Sequence, residues 1–427
     1  MKIAVIGAGA GGLTAAYDLQ KLGHQVHIFE RESGPGGLAA GFREENWDWS
    51  LEKFYHHWFK KDTDILSLIE ELGLGENVIF KQPKTVVLHE GGFYPLDSAA
   101  AVMRFPGFSL PDKLRFGLIT AYLKYTARWE PLEKYTAVNW IRKYYGENLY
   151  KIFFRPLLAG KFSRDFEKVN MAWFWARFKA RTAQLGTYRG GFQAFLDDFA
   201  GILEKNGVTL HFDTAIDSIK PAGGGLEISY EGKTILYDQV LATISPKLTA
   251  RLAPDLDAGY KEQIENLESI GAVVVIYSLK EQLSKEGYYW FNLDKTAGYP
   301  FLALVEHTNY LSEQFFGGEH LVYCGDYVES SHEYFSLEDG DLIDTFTPIL
   351  KKINTNFSEK WINRTWVFRA PYAQPVPPVN HSKNIPAIRT PLDGLFLASM
   401  SQVYPWDRGT NFAVQLARKA VREMSAN

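Results

Sequence analysis

Cysteine is almost absent from this sequence, with one residue, Cys324, in a chain of 427. A lone cysteine excludes an intrachain disulfide and a cysteine zinc cluster, and a reducing compartment is the expected setting. Cys324 lies in a strand-like run and reads as a small core residue, not a nucleophile. No stretch of eighteen apolar residues occurs, so nothing reads as spanning a membrane. An excess of either charge is lacking too: 46 Lys and Arg against 50 Asp and Glu leave a net −4, which argues against a nucleic-acid surface. The adjacent His56 and His57 lack a third ligand at a readable spacing, so no metal site is expected. The first strand starts at Lys2, which leaves no room for a cleaved leader and makes a cytoplasmic location the expectation.

What is present begins at the N-terminus. Lys2-Ile3-Ala4-Val5-Ile6 reads as a buried strand, and Gly7-Ala8-Gly9-Ala10-Gly11-Gly12 as the turn after it. Leu13 to Leu19 is a helix with an apolar face, and Gln25 to Phe29 is a second strand ending in Glu30. This G-x-G-x-x-G lies in a βαβ unit, the context that gives such a motif meaning. Gly7 permits the tight turn, Gly9 lets backbone approach a pyrophosphate, and Gly12 lets helix and strand pack closely. The helix N-terminus offers N–H groups and a positive dipole end to phosphate. Glu30 is placed to accept hydrogen bonds from a ribose. A second glycine pair, Gly36-Gly37, follows Arg31 and precedes Leu38.

Residues 3–41 resemble the N-terminus of the flavin-dependent amine oxidase superfamily, which includes protoporphyrinogen oxidase, phytoene desaturase and UDP-galactopyranose mutase. The resemblance implies FAD as cofactor, held through Gly7, Gly9, Ala10, Gly11, Gly12, Glu30, Arg31, Gly36, Gly37 and Leu38. Leu38 stands where the family usually has Arg. The family also has a Gly-Gly and an apolar helix at Gly190-Gly191, and by resemblance the backbone of Ile216 lies against the adenine. In the C-terminal stretch the family has Gly-Asp or Gly-Glu where this chain has Ser399-Met400. There the resemblance brings Met400, Asp407, Arg408, Gly409, Thr410 and Asn411 to the cofactor, with the last helix aimed at the flavin. A dipole so aimed stabilises negative charge on the ring. For Arg408 two roles stand open, a cation facing the flavin or a salt bridge that shapes the turn.

The segment from Trp47 to Trp58 is dense in aromatics. By resemblance Tyr55, His56 and His57 are candidates for the flavin or substrate neighbourhood, with either histidine a candidate for proton transfer; filling a loop is the alternative. Lys113 to Tyr125 reads as an amphipathic helix with basic edges, either packed on its own domain or lying on a membrane surface. Met171 to Arg181 is a core-lining helix or a pocket wall meeting an anionic substrate, with Arg155, Lys161 and Arg164 as further cations. Aromatics form 15% of the chain, which suits aromatic cores or a pocket for a flat, apolar molecule.

The expected fold class is α/β, with a discontinuous Rossmann-type FAD-binding domain from residues 1–95, 185–266 and 365–427. A mixed α+β substrate domain is expected from 96–184, mostly helical, and 267–364, rich in strands; Val78 to Tyr94 reads as one hairpin. The expected function is FAD-dependent oxidation or desaturation of a small-molecule substrate, with the flavin accepting a hydride. A flavin-dependent isomerase like UDP-galactopyranose mutase and a non-catalytic flavin-binding protein are the alternatives.

Overall fold

The computed structural model describes residues 1–96 and 98–426. Five short strands form a parallel sheet in the spatial order Thr209–His211, Gln25–Phe29, Lys2–Ile6, Gln239–Ala242, Leu395–Leu397. The chain order reverses direction beside Lys2–Ile6, and a crevice opens outside the carboxyl ends of strands at such a point. Lys2–Ile6, Gln239–Ala242 and Leu395–Leu397 are largely apolar and buried because both faces are covered, while Gln25–Phe29 and Thr209–His211, towards one edge, keep Gln, Thr and His. Ile3 and Val5 pack with Leu13, Phe195 and Val414 from three helices. Ala4 and Ile6 point the other way, onto Ile219 and Ile228 of a three-stranded antiparallel sheet.

The helix Ala10–Lys21 and the final helix Thr410–Ser425 share that first core. The chain's two ends thus close one layer, and residues 186–246, which resemble the family, complete it. Gly225–Tyr230 and Lys233–Tyr237 pair as an antiparallel hairpin.

A second, seven-stranded sheet has the order Ile362–Pro375, Ser269–Leu279, His320–Val328, Ala303–Glu306, Tyr288–Asn292, Lys84–His89, Gly92–Pro95. It is mixed, as expected: Tyr288–Asn292 runs parallel to Lys84–His89. Period-two alternation explains its two faces. Val273, Val275, Tyr277 and Cys324 pack under helix Asp339–Ile353, while Val274, Ile276 and Tyr323 meet the aromatic segment with Trp47, Trp49 and Leu51. Cys324 is fully buried there, a core residue as read from the sequence.

The strands cross the expected boundaries at two places. The expected single hairpin over Val78–Tyr94 is two separate elements: Val78–Lys81 pairs with Leu185–Tyr188, and Lys84–His89 pairs with Gly92–Pro95 at the edge of the seven-stranded sheet. Pro83, which has no N–H to donate, sits between them. Residues 84–95 therefore lie with the second sheet. So does all of Ile362–Pro375, which pairs along Ser269–Leu279 and straddles the boundary expected at 364/365.

The helical lobe is capped locally, by Ser109, Thr136 and Asn170 side chains at three helix N-termini. Its core is aromatic, with Tyr145, Phe154, Phe162, Trp173 and Phe174 buried. Within Met171–Ala180 the first six residues are all buried, so this helix lines a core. The helix expected at Lys113–Tyr125 runs Leu110–Ala121 and continues as a wider turn over Tyr122–Thr126. Among the described residues no helix is long and apolar enough to cross a membrane.

Candidate active site

The glycine turn shows three different reasons for glycine. Gly7 has φ +104°, and a Cβ there would meet Thr243 Oγ1 at 2.8 Å. A Cβ on Gly12 would run into the Gly7 carbonyl oxygen, so helix and strand can close only without it. Gly9 differs: its Cβ would meet nothing nearer than Gly36 O, at 4.0 Å. Internal packing therefore does not demand glycine at position 9. The open cradle in front of it fits the close backbone approach that a pyrophosphate requires.

The second glycine pair comes to the first. Gly36 N donates to Ala8 O at 3.0 Å, and Gly9 and Gly36 form an isolated parallel bridge. Ala10 opens the first helix, and Gly11 abuts Ala413 of the last helix, so both ends of the chain meet here. Glu30 Oε2 accepts from Ala8 N at 2.8 Å and Oε1 from Glu32 N at 3.1 Å. The acid thus braces the turn, and each oxygen keeps a further lone pair for a ribose hydroxyl. Thr214 N donates to Glu30 O, which sets the segment leading to buried Ile216 beside this acid.

Not every expected residue faces this cleft. Arg31, beyond the end of the strand, is turned to solvent with its Nε on Glu32 at 3.0 Å. Asn411 is buried, and its Oδ1 accepts from Asp64 N and Ile65 N at 2.9 and 3.1 Å. It caps helix Thr63–Glu71, whose first N–H groups have no partner within their own helix. Thr410 Oγ1 accepts from the indole of fully buried Trp58 at 2.8 Å. The side chains of Asn411 and Thr410 are spent inside the protein, while Gly409, exposed, starts the last helix and leaves its backbone uncovered.

At Ser399-Met400 the expected acid is replaced by a web of hydroxyls. Tyr372 Oη is 2.9 Å from Ser399 Oγ and 2.7 Å from Ser401 Oγ, and Gln402 Oε1 accepts from Ser399 N. Ser401 is therefore occupied holding this turn. Met400, half-buried, contributes no charge.

The charge appears seven residues later. Asp407 Oδ2 accepts from Arg177 Nη1 at 2.8 Å and lies 3.7 Å from Lys161 Nζ; its Oδ1 accepts from Trp173 Nε1 and from Arg408 N. Burial alone would raise this carboxyl, but Lys161, Arg177, Arg408 and Arg181 outweigh it and hold Asp407 well below the usual carboxylate range. Burial, partly offset by Asp407, pulls the Lys161 ammonium well below its ordinary value. Nearby Arg177 lowers Arg181, whose side chain reaches solvent. One carboxylate thus faces four cations.

Arg408 does not pair with that carboxylate through its side chain. Its Nε donates to Gln374 Oε1 at 3.1 Å, Nη2 donates to Tyr327 Oη, and the guanidinium lies over the Tyr327 ring. Both partners are neutral, and no ion pair of Arg408 is found among the described residues. The cation lines a narrow cavity with Leu38, Tyr55, His56, Tyr327 and Ala373.

The two histidines separate. His56 borders this cavity, and its Nδ1 lies 2.5 Å from Phe54 O. A carbonyl only accepts, so Nδ1 carries the proton and Nε2 is the ring's acceptor. Burial, aided by Arg408, lowers His56 to about 4. His57 instead packs against Tyr289 and Trp290, with Tyr289 Oη at 3.3 Å, and burial lowers it to about 3. It lies in the aromatic layer, not at the cavity. Both are neutral near pH 7. Among the described residues no cluster of His, Cys, Asp and Glu could hold a metal.

Three residues of the site escaped sequence reading. Tyr327 and Gln374 come from strands of the second sheet, far in sequence from every motif, and only their strand positions hinted at a shared face. Glu52 accepts from Phe192 N at 2.8 Å, capping the helix that follows Gly190-Gly191, and burial raises it to about 7. An acid inside an aromatic run was its one signal.

Comparison with known proteins places this geometry. Residues 10–425 match the family of flavin containing amine oxidoreductases. A 15-cis-phytoene desaturase from Synechococcus elongatus is 27% identical over 158 residues, 34% of this chain and 33% of that protein. A carotenoid phi-ring synthase from Streptomyces griseus is 22% identical over 303 residues, 62% of this chain and 57% of that one. The chain thus spans between a third and somewhat over half of these relatives. Among solved structures, a putative protoporphyrinogen oxidase from Exiguobacterium sp. 255-15 superposes with TM-score 0.80 at 17% identity, covering 99% of this chain and 98% of that one. Reduced UDP-galactopyranose mutase gives 0.77 at 16%, covering 100% and 96%. With nearly its whole length matched, the chain belongs to the flavin containing amine oxidoreductase family.

Proposed function

We propose that the parallel-sheet layer is a Rossmann-type FAD domain and that the cavity at Arg408 is where a substrate gives up a hydride, as in an oxidase, dehydrogenase or desaturase. The observation that carries this reading is the convergence of Leu38, Tyr55, His56 and Arg408 on one cavity, with Leu38 following directly on the Gly36-Gly37 pair that bridges to Gly9. FAD, when bound, supplies the two-electron acceptor for that hydride. Leu38 and Tyr55 give apolar and aromatic walls that exclude water and suit an apolar substrate. Arg408 holds a full positive charge at the cavity wall, held in place by Gln374 and Tyr327. Neutral His56, with Nε2 as acceptor, is fitted to orient a substrate N–H or O–H; a group lowered to about 4 is a weak base at pH 7.

Photoreduction under anaerobic conditions, followed by candidate acceptors and apolar substrates, tests this. Reoxidation by an acceptor and reduction by a substrate support it; a flavin that no substrate reduces argues against it.

A second reading rests on the cations beside the cavity. Lys161 and Arg177, both largely buried, share one acid, Asp407, with Arg181 nearby, and burying cations in excess of acids is costly. Such an arrangement suits a substrate with an anionic group, including the diphosphate of a flavin-dependent isomerisation. Turnover without net electron transfer to any acceptor selects this reading over the first.

A further inference from the structure

Helix Leu110–Ala121 contains no buried residue, although it belongs to a lobe with a dense aromatic core. Its inward contacts come from partly covered Phe116 and Ile119 and from Leu123 just beyond its end. Leu110, Leu114 and Leu118 recur every four residues on the opposite side, 62%, 58% and 72% exposed. Tyr122 and Tyr125 extend the same stripe, the latter 76% exposed. Of the eleven large apolar or aromatic side chains standing exposed among the described residues, five lie on this one stripe. Scattered surface leucines are ordinary, but a contiguous stripe marks a contact surface.

The charges around the stripe choose its partner. At 100° per residue, Lys113 and Lys124 flank the stripe on one side and Arg115 on the other. Residues 104–128 hold five cations, Arg104, Lys113, Arg115, Lys124 and Arg128, and one acid, Asp112. That acid is spent: it accepts from Ser109 Oγ and Asn148 Nδ2 at 2.7 and 2.8 Å, closing the helix N-terminus. A stretch of sixteen residues, Leu110 to Tyr125, is about 24 Å long as a helix, short of the roughly 30 Å of a bilayer core. Leucines at the centre, tyrosines at one end and unopposed cations at the edges match a helix lying flat in the headgroup region.

We infer that the Leu110–Tyr125 face seats this enzyme on a membrane surface carrying anionic lipid. The leucines enter the acyl boundary, and Lys113, Arg115 and Lys124 meet the lipid phosphates. This is independent of which substrate the cavity takes.

Flotation of the flavin-loaded full chain with vesicles tests it, using phosphatidylcholine alone and phosphatidylcholine mixed with phosphatidylglycerol. The protein should float with the anionic vesicles and not with the neutral ones. The pair Leu114→Asp and Leu118→Asp should lose that binding while flavin absorbance and melting are unchanged. Lys113→Gln with Lys124→Gln should weaken it on the order of tenfold, and salt should do the same. Should the aspartate pair lose its flavin, Leu114→Ala with Leu118→Ala replaces it. Failure of the wild type to float, or undiminished binding by the leucine variants, overturns the inference. So would a lipid-free dimer that the leucine variants convert to monomer, since the face would then join two copies of the chain.

Discussion

Two turns meet at the candidate site, and they are shaped by opposite means. In Gly7–Gly12 side chains are missing, so backbone can pack on backbone and leave an open cradle at Gly9. In Ser399–Asn411 side chains converge from elsewhere: Tyr372 on the serines, Arg177 and Lys161 on Asp407, Gln374 and Tyr327 on Arg408. A turn made by omission is local, and its logic sits in consecutive residues. A turn made by convergence depends on strand residues 29 to 81 positions away and on a helix residue 230 positions away in the chain.

The sharpest way to break the comparison lies within the first turn. Gly12→Val should prevent folding of the first layer, since the side chain would enter the Gly7 carbonyl, a clash worth about 3 kcal/mol or more. Gly9→Val should fold and lose FAD, because its Cβ has room inside the protein but fills the cradle. Melting curves and flavin absorbance of the purified variants check both. Full flavin in Gly9→Val would remove the cradle from the account.

The second turn should break through charge. Asp407→Asn leaves Lys161 and Arg177 without their anion, and removing one partner of a largely buried pair costs roughly 3–5 kcal/mol. Chemical denaturation measures it. A loss below about 1 kcal/mol would mean that the cations are solvated and the turn is held by its hydroxyls.

Acid should act on the same cavity. His56 has an ordinary value of 6.5 and is lowered to about 4, so the unfolded chain binds a proton that the folded one refuses. Stability therefore falls as pH drops from 6.5 towards 4, by up to about 3 kcal/mol from this residue. Glu52, raised to about 7 from 4.5, acts in the opposite sense over pH 7 to 4.5. His56→Gln isolates the first effect: relative to wild type, the variant should gain stability as pH falls, read from melts at pH 7, 6 and 5.

Glu30→Ala should cost a smaller amount, roughly 1.5–3 kcal/mol of FAD affinity, or about ten- to a hundred-fold. Since Glu30 also accepts from Ala8 N and Glu32 N, the melt of the free protein must be followed beside the titration. Unchanged affinity with a lower melt would make the acid a brace for the turn only.

The same contrast explains what could be read from the sequence. The glycine turn, the strands around it and the buried role of Cys324 follow from neighbours in the chain, by period and by turn chemistry. The split at Pro83 and the assignment of Ile362–Pro375 to the second sheet depend on which strand each one pairs with, which local pattern does not encode. Arg31 and Asn411 stand where the resemblance puts cofactor contacts, yet one finds Glu32 and the other caps a neighbouring helix. Arg408 was open between two roles because its partners, Tyr327 and Gln374, lie in other strands, and neither is an acid.

We propose that Arg408 acts at the flavin and not as a strut of its turn. The direct measurement is the midpoint potential of the bound flavin in Arg408→Ala, with melting and flavin occupancy recorded on the same samples. A cation at the ring favours the more negative reduced flavin, so its removal should lower the potential by about 30 mV, equivalent to roughly 1.4 kcal/mol for two electrons. Occupancy and melting should stay as in the wild type. An unchanged potential in a stable, fully loaded variant, or a fall in melting and occupancy together, would contradict it.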